Sequence, residues 1–130
     1  MNLLLDTNIL LIYNRDKTLA RQIERTYRLF DASNNLAVSV VCIGEIKSIL
    51  YRAGVGRRCL IRLEENLAQL VKIRIDHQEI IERYVEIEAY SQGKHKRLAS
   101  DFTSRNMDKN DLWITATASA LGLTLVTSII

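Results

Sequence analysis

Short apolar runs separated by stretches of helical spacing constrain this chain more than any other feature. The runs lie at residues 3–5, 36–41, 71–75 and 123–126. The second follows the turn signal Ser33-Asn34-Asn35, and the last follows Gly122, which suits a helix C-cap. Between them, residues 18–30 place apolar side chains at 19, 20, 23, 27 and 30, a helical stripe. Residues 42–53 and 59–70 repeat that pattern on either side of Gly54-Val55-Gly56, and 79–90 and 111–121 complete the set. Strands that alternate with helices require crossover connections, so the expected class is α/β with a parallel sheet of about four strands between helical layers. A length of 130 residues suits one domain spanning 1–130. Within 93–109, the most polar stretch, a short helix around Leu98 is expected.

Composition then excludes several classes. No apolar run approaches the ~20 residues of a membrane helix. The opening Met1-Asn2-Leu3-Leu4-Leu5-Asp6 has no basic segment and meets a carboxylate too early for a signal peptide, so a cytoplasmic protein is expected. Two cysteines, Cys42 and Cys59, give neither a disulfide framework nor a zinc pattern and read as small buried hydrophobes. Nucleotide-binding glycine loops and a G-x-S-x-G elbow are absent. A receiver-type phosphoacceptor would need paired acids before its strand-end Asp and a Lys after a later strand, and neither is found. A net charge of +3 permits a nucleic-acid partner without demanding one. Arg57-Arg58 and Lys94-His95-Lys96-Arg97 are short basic clusters that read first as solvated helix ends or loops. His77 and His95 show no ligand spacing and suit surface or capping roles.

Functional groups of an open parallel sheet collect at the carboxyl ends of its strands. Asp6 lies there, directly after the first apolar run and ahead of Thr7 and Asn8. Glu45 follows the second run inside an otherwise apolar helix start, and Asp111 opens the helix that carries Trp113. Each acid has a plain alternative, since Asp is a good N-cap and an acid in a first turn complements the helix dipole. Together they gain meaning. Three crowded carboxylates repel unless a cation intervenes, and Mg²⁺ or Mn²⁺ takes carboxylate and water oxygens. Such an ion would hold a phosphate oxygen and activate water for phosphodiester cleavage. Trp113, with Ala116, Thr117 and Ala120, reads as packing against the sheet, and Asp101 and Asp108 as solvated.

Four segments carry a family resemblance: residues 3–10 (LLLDTNIL), 39–46 (SVVCIGEI), 109–118 (KNDLWITATA) and 121–127 (LGLTLVT). They resemble the PIN domain, and within it the VapC-type ribonuclease toxins of bacterial toxin–antitoxin pairs. That resemblance implies a central parallel sheet flanked by helices and a Mg²⁺- or Mn²⁺-dependent endoribonuclease. It implies that Asp6, Glu45 and Asp111 form the metal site, with Thr7, Asn8 and Asn110 as supporting polar neighbours. A cognate antitoxin, an RNA substrate and a homodimer are the implied partners. The sequence departs from the pattern at its end, where Ile129 stands in place of a fourth acid and the usual last strand and tail are missing. The expectation is a truncated domain with an apolar edge over 123–130 and a weakened metal site. Its alternative is a catalytically impaired module that binds antitoxin or RNA without efficient cleavage. A plain α/β domain whose three acids are all caps is the remaining reading.

Overall fold

The computed structural model describes residues 1–91 and 109–127. Its elements run β1 (Asn2–Leu5), α1 (Thr7–Arg15), α2 (Lys17–Tyr27), β2 (Asn35–Ser39), α3 (Val40–Ala53), α4 (Arg57–Ala68), β3 (Val71–Ile73), α5 (Gln78–Ser91), α6 (Lys109–Leu121) and β4 (Thr124–Val126). The four strands form one all-parallel sheet in the order β3-β2-β1-β4, flanked by six helices. The expected α/β class and sheet are therefore present. Leu98, the basic cluster 94–97, Asp101, Asp108 and Ile129 lie outside the described residues.

Local chemistry explains where the elements begin and end. Between α1 and α2 the chain breaks at Asp16, whose backbone closes the first helix and whose carboxylate accepts from the Leu19 N–H at 3.0 Å to open the second. The helix expected over 18–30 stops at Tyr27 because Arg28 takes a left-handed conformation, φ 49°. That turn sends Leu29 into the core. Ser39 caps α3 by accepting from the Val41 N–H at 3.1 Å, so the helix starts at Val40, two residues earlier than its apolar spacing suggests. The third strand ends at Ile73, shorter than the alternation over 71–75 implies. Gly122, at φ 65°, terminates α6 as expected, and the Leu123 N–H donates back to the Ala118 carbonyl at 2.9 Å.

Leu3, Leu4 and Leu5 make β1 apolar on both faces, as a strand covered from both sides requires. Val38, Cys42, Ile46 and Leu50 continue the core through β2 and α3, and Leu63 and Leu67 anchor α4. From β1 the chain winds outward through β2 to β3, then returns to place β4 on the opposite side of β1. Right-handed crossovers in opposite directions put their helices on opposite faces, so the sheet's switch point lies between β1 and β4. Asp6 stands at the carboxyl end of one of these strands and Thr127 at the end of the other. No helix among the described residues is long and apolar enough to cross a membrane.

Candidate active site

At the switch point, Asp6 is held through both carboxylate oxygens. Oδ1 accepts from the Thr7 N–H at 2.6 Å, and Oδ2 accepts from the Thr127 hydroxyl at 2.7 Å. The Asp6 N–H donates to the Val126 carbonyl at 3.0 Å, extending the β1–β4 ladder to the site itself. Asp6 is thus the N-cap of α1 and also part of a cleft of about 300 Å³, lined with it by Asn8, Asp111, Ile114, Thr115, Leu125 and Thr127. Capping and facing the cleft are compatible, since one oxygen serves the helix and the other the cleft wall. Asp111, in the first turn of α6, is exposed on that cleft, and Asn8 beside Asp6 is exposed there too.

Glu45 sits differently. The early start of α3 puts it in the second helical turn, so it does not serve the helix dipole as a first-turn acid would. It is half-buried, and its Oε2 accepts from the Asn110 side-chain amide. Asn110 adjoins Asp111 on α6, so this bond ties α3 to the helix that bears the second cleft acid. Glu45 does not line the cleft, and among the described residues no three His, Cys, Asp or Glu side chains form a group able to hold a metal ion. The structure therefore brings Asp6 and Asp111 onto one cleft and places Glu45 behind them through Asn110.

Cys42 reports the charge of this region. It is fully buried on α3, and burial pushes its thiol up to about 11, with the Asp6 and Glu45 carboxylates adding to the rise and contacts with Thr7 opposing it. A thiol held that high is almost entirely protonated at pH 8, so in the folded protein Cys42 should react with a thiol reagent about 100-fold more slowly than in urea. Equal rates, followed by mass spectrometry of labelled peptides, would contradict this burial. Cys59 departs from the expected small hydrophobe. It is half-buried, and its sulfur accepts from the Asn14 amide at 2.9 Å.

Two cleft residues escaped the sequence reading. Thr127 and Thr115 are neutral and common, and only the β1–β4 pairing and the pitch of α6 bring them to Asp6 and Asp111. A hydroxyl four residues after an acid on one helix was the available signal for Thr115. His77 serves α5, its Nδ1 accepting from the Glu79 N–H at 3.3 Å. Trp113 is half-buried and stacks on Tyr84 of α5, with ring centroids 3.9 Å apart and planes at 24°. Its partner is thus a helix and not the sheet alone. Ala116 and Thr117 of the same stripe are buried, and Ala120 is half-buried. Trp113→Ala should cost about 2–3 kcal/mol in urea unfolding, below the range for a fully enclosed ring. A variant of unchanged stability that had lost only RNA affinity would overturn the packing role.

Comparison with solved structures gives matches over nearly the whole chain. VapBC2 from Rickettsia felis, bound to a DNA fragment from its promoter, aligns with a TM-score of 0.72 at 22% identity, covering 100% of this chain and 89% of that one. VapBC-1 from nontypeable Haemophilus influenzae aligns at 0.67 and 23%, covering 98% and 86%. FitAcB from Neisseria gonorrhoeae aligns at 0.67 and 21%, covering 96% and 86%. At these identities the likeness is one of fold. No curated protein matches the sequence. Residues 3–128 match the family model described as PIN domain, and the chain belongs to the PIN domain family.

Proposed function

We propose that this chain is a Mg²⁺- or Mn²⁺-dependent endoribonuclease of the toxin type, restrained by an antitoxin. The observation that carries the reading is the pairing of Asp6 and Asp111 on one cleft at the sheet's switch point. Mg²⁺ keeps several waters and usually takes only one or two protein carboxylates beside substrate phosphate oxygens. Asp6 and Asp111 fit that demand, because they present two carboxylates to a cleft of about 300 Å³ with room for water and a phosphate. When bound, the ion would supply Lewis acidity and a more acidic water. Thr7 and Thr127 keep the Asp6 carboxylate in one orientation. Glu45, bonded to the Asn110 amide, ties α3 to the helix that carries Asp111 and so positions that acid. Asn8 and Thr115 add neutral hydrogen-bonding groups to the cleft wall.

Partner binding is supported by the surface. Leu60 and Ile61 on α4 and Tyr51 on α3 are large apolar side chains left exposed. One of the related solved structures is a toxin–antitoxin complex. An antitoxin laid over exposed apolar helix faces, and a homodimer, belong to this proposal. A second reading, an impaired module that binds RNA or antitoxin without efficient cleavage, is favoured by one fact. No third acid of the described residues joins the cleft pair closely enough to hold a metal.

Incubation of the chain with RNA in Mn²⁺, in Mg²⁺ and in chelator separates the two readings. The enzyme reading expects cleavage with either ion, none in chelator, and none from Asp111→Asn at unchanged fold. Antitoxin or RNA binding without metal-stimulated cleavage would establish the impaired module instead.

A further inference from the structure

One face of α2 presents a row of cations to solvent. Lys17, Arg21 and Arg25 stand at successive i, i+4 positions and Arg28 follows at the C-cap, all four exposed. Each step climbs the helix by about 6 Å and turns by about 40°, so the first three share one face. Leu19 and Ile23, half-buried, lie on the opposite face, and Ile23 packs against the core.

The acids nearby are turned to other tasks. Glu24, the one acid within 17–28, points inward, accepting from the Tyr13 hydroxyl at 2.6 Å and the Phe30 N–H at 3.1 Å. Asp16 and Asp31 flank the row at its two ends, their carboxylates accepting from the Leu19 N–H at 3.0 Å and the Ser33 N–H at 2.9 Å. The ion pairs among the described residues are Lys47–Glu64 and Arg74–Asp76, and neither takes a cation of this row. Residues 46–63 are also basic and hold no acid, but their cations are engaged elsewhere. There Lys47 is paired, Arg62 donates to the Asn14 carbonyl at 2.8 Å, and Arg57 shares a hollow with Glu64 and Glu65.

We propose that this face of α2 is a docking surface for the phosphate backbone of single-stranded RNA, held by Lys17, Arg21 and Arg25. Cations at even intervals answer a partner whose anions recur at even intervals, and the planar fork of arginine suits phosphate oxygens. Thr18 and Gln22, exposed beside the row, are neutral groups of the kind that bond phosphate and sugar. An acidic protein would find no large apolar side chain within this row, and protein interfaces draw most of their affinity from such anchors. The row shares no residue with the acid cleft, so only the choice of RNA rests on the ribonuclease reading.

Fluorescence anisotropy of a labelled single-stranded RNA of about 12 nucleotides, in chelator and across about 50–200 mM salt, tests the surface without any catalysis. The Arg21→Gln, Arg25→Gln double variant should bind at least about 10-fold more weakly at about 100 mM salt, with a salt slope smaller by about 1.4. Arg21→Lys with Arg25→Lys should keep the slope. Arg52→Gln with Arg83→Gln removes the same charge from exposed positions on α3 and α5 and should leave affinity and slope unchanged. Circular dichroism controls for folding. Equal weakening by the two Gln pairs, or none by the α2 pair, would overturn the proposal. So would poly-glutamate that displaces the labelled RNA as well as unlabelled RNA does at equal charge, which would assign the face to an acidic protein. RNA binding that depends on α2 without cleavage in Mn²⁺ would remove the ribonuclease reading and keep the surface. Metal-dependent cleavage with binding unchanged in the α2 pair would remove the surface alone.

Discussion

Asp6→Asn is expected to lower metal-dependent RNA cleavage by about 100-fold or more, the scale of removing one preorganised electrostatic group. It should leave the thermal midpoint within about 4 °C, roughly 1 kcal/mol for a chain of this size. The substitution separates the two jobs of this side chain. An amide oxygen can still accept from the Thr7 N–H, and Asn caps helices as well as Asp does. The amide nitrogen would meet the Thr127 hydroxyl, which can turn from donor to acceptor. Only the negative charge is lost. Asp6→Ala removes the cap as well and should cost about 0.5–2 kcal/mol in addition. Isothermal titration with Mn²⁺ beside gel-based cleavage decides the matter. Full activity and unchanged metal affinity in Asp6→Asn, with destabilisation confined to Asp6→Ala, would reduce Asp6 to a cap.

That dual role explains why the site was only partly legible in the sequence. Asp6 and Asp111 were found because the two patterns, a carboxylate at a strand's end and one at a helix start, are local. Their meeting on one cleft is a property of strand order, and it needed β4 beside β1. The apolar spacing opens at Cys42 and so makes Glu45 a first-turn acid. Ser39, with its hydroxyl free to accept from the Val41 N–H, moves the helix start back and turns Glu45 toward Asn110. Capping by a residue that also belongs to a strand is hard to see in periodicity alone. Thr127 carried no signal of its own, since a hydroxyl gains its role only from the carboxylate it faces. The fold class was more accessible, because a strand such as residues 3–5, apolar on both faces, has few alternatives to the middle of a covered parallel sheet.

Leu4→Ala should cost about 3–5 kcal/mol, the upper part of the range for an enclosed leucine. Leu4 is fully buried in β1, in register with Ala37 of β2 on one side and Leu125 of β4 on the other. A cavity there is slow to collapse. Hydrogen bonds to strands on both sides fix β1, and Ala37 has no side-chain length to spare for filling the space. For a domain whose total stability is typically about 5–15 kcal/mol, that loss is a large fraction. In urea the midpoint should fall while the slope stays constant, the mark of lost stability without a changed unfolded state. Val71→Ala on the exposed face of β3 is the matching control, expected within about 0.5 kcal/mol. Because the β1–β4 ladder ends in the Asp6–Val126 and Asp6–Thr127 bonds, any cleavage by Leu4→Ala should track its folded fraction as temperature rises. A loss below about 1 kcal/mol would mean that β1 and β4 can close over the gap, and that the spacing of the acid cleft is softer than this packing implies.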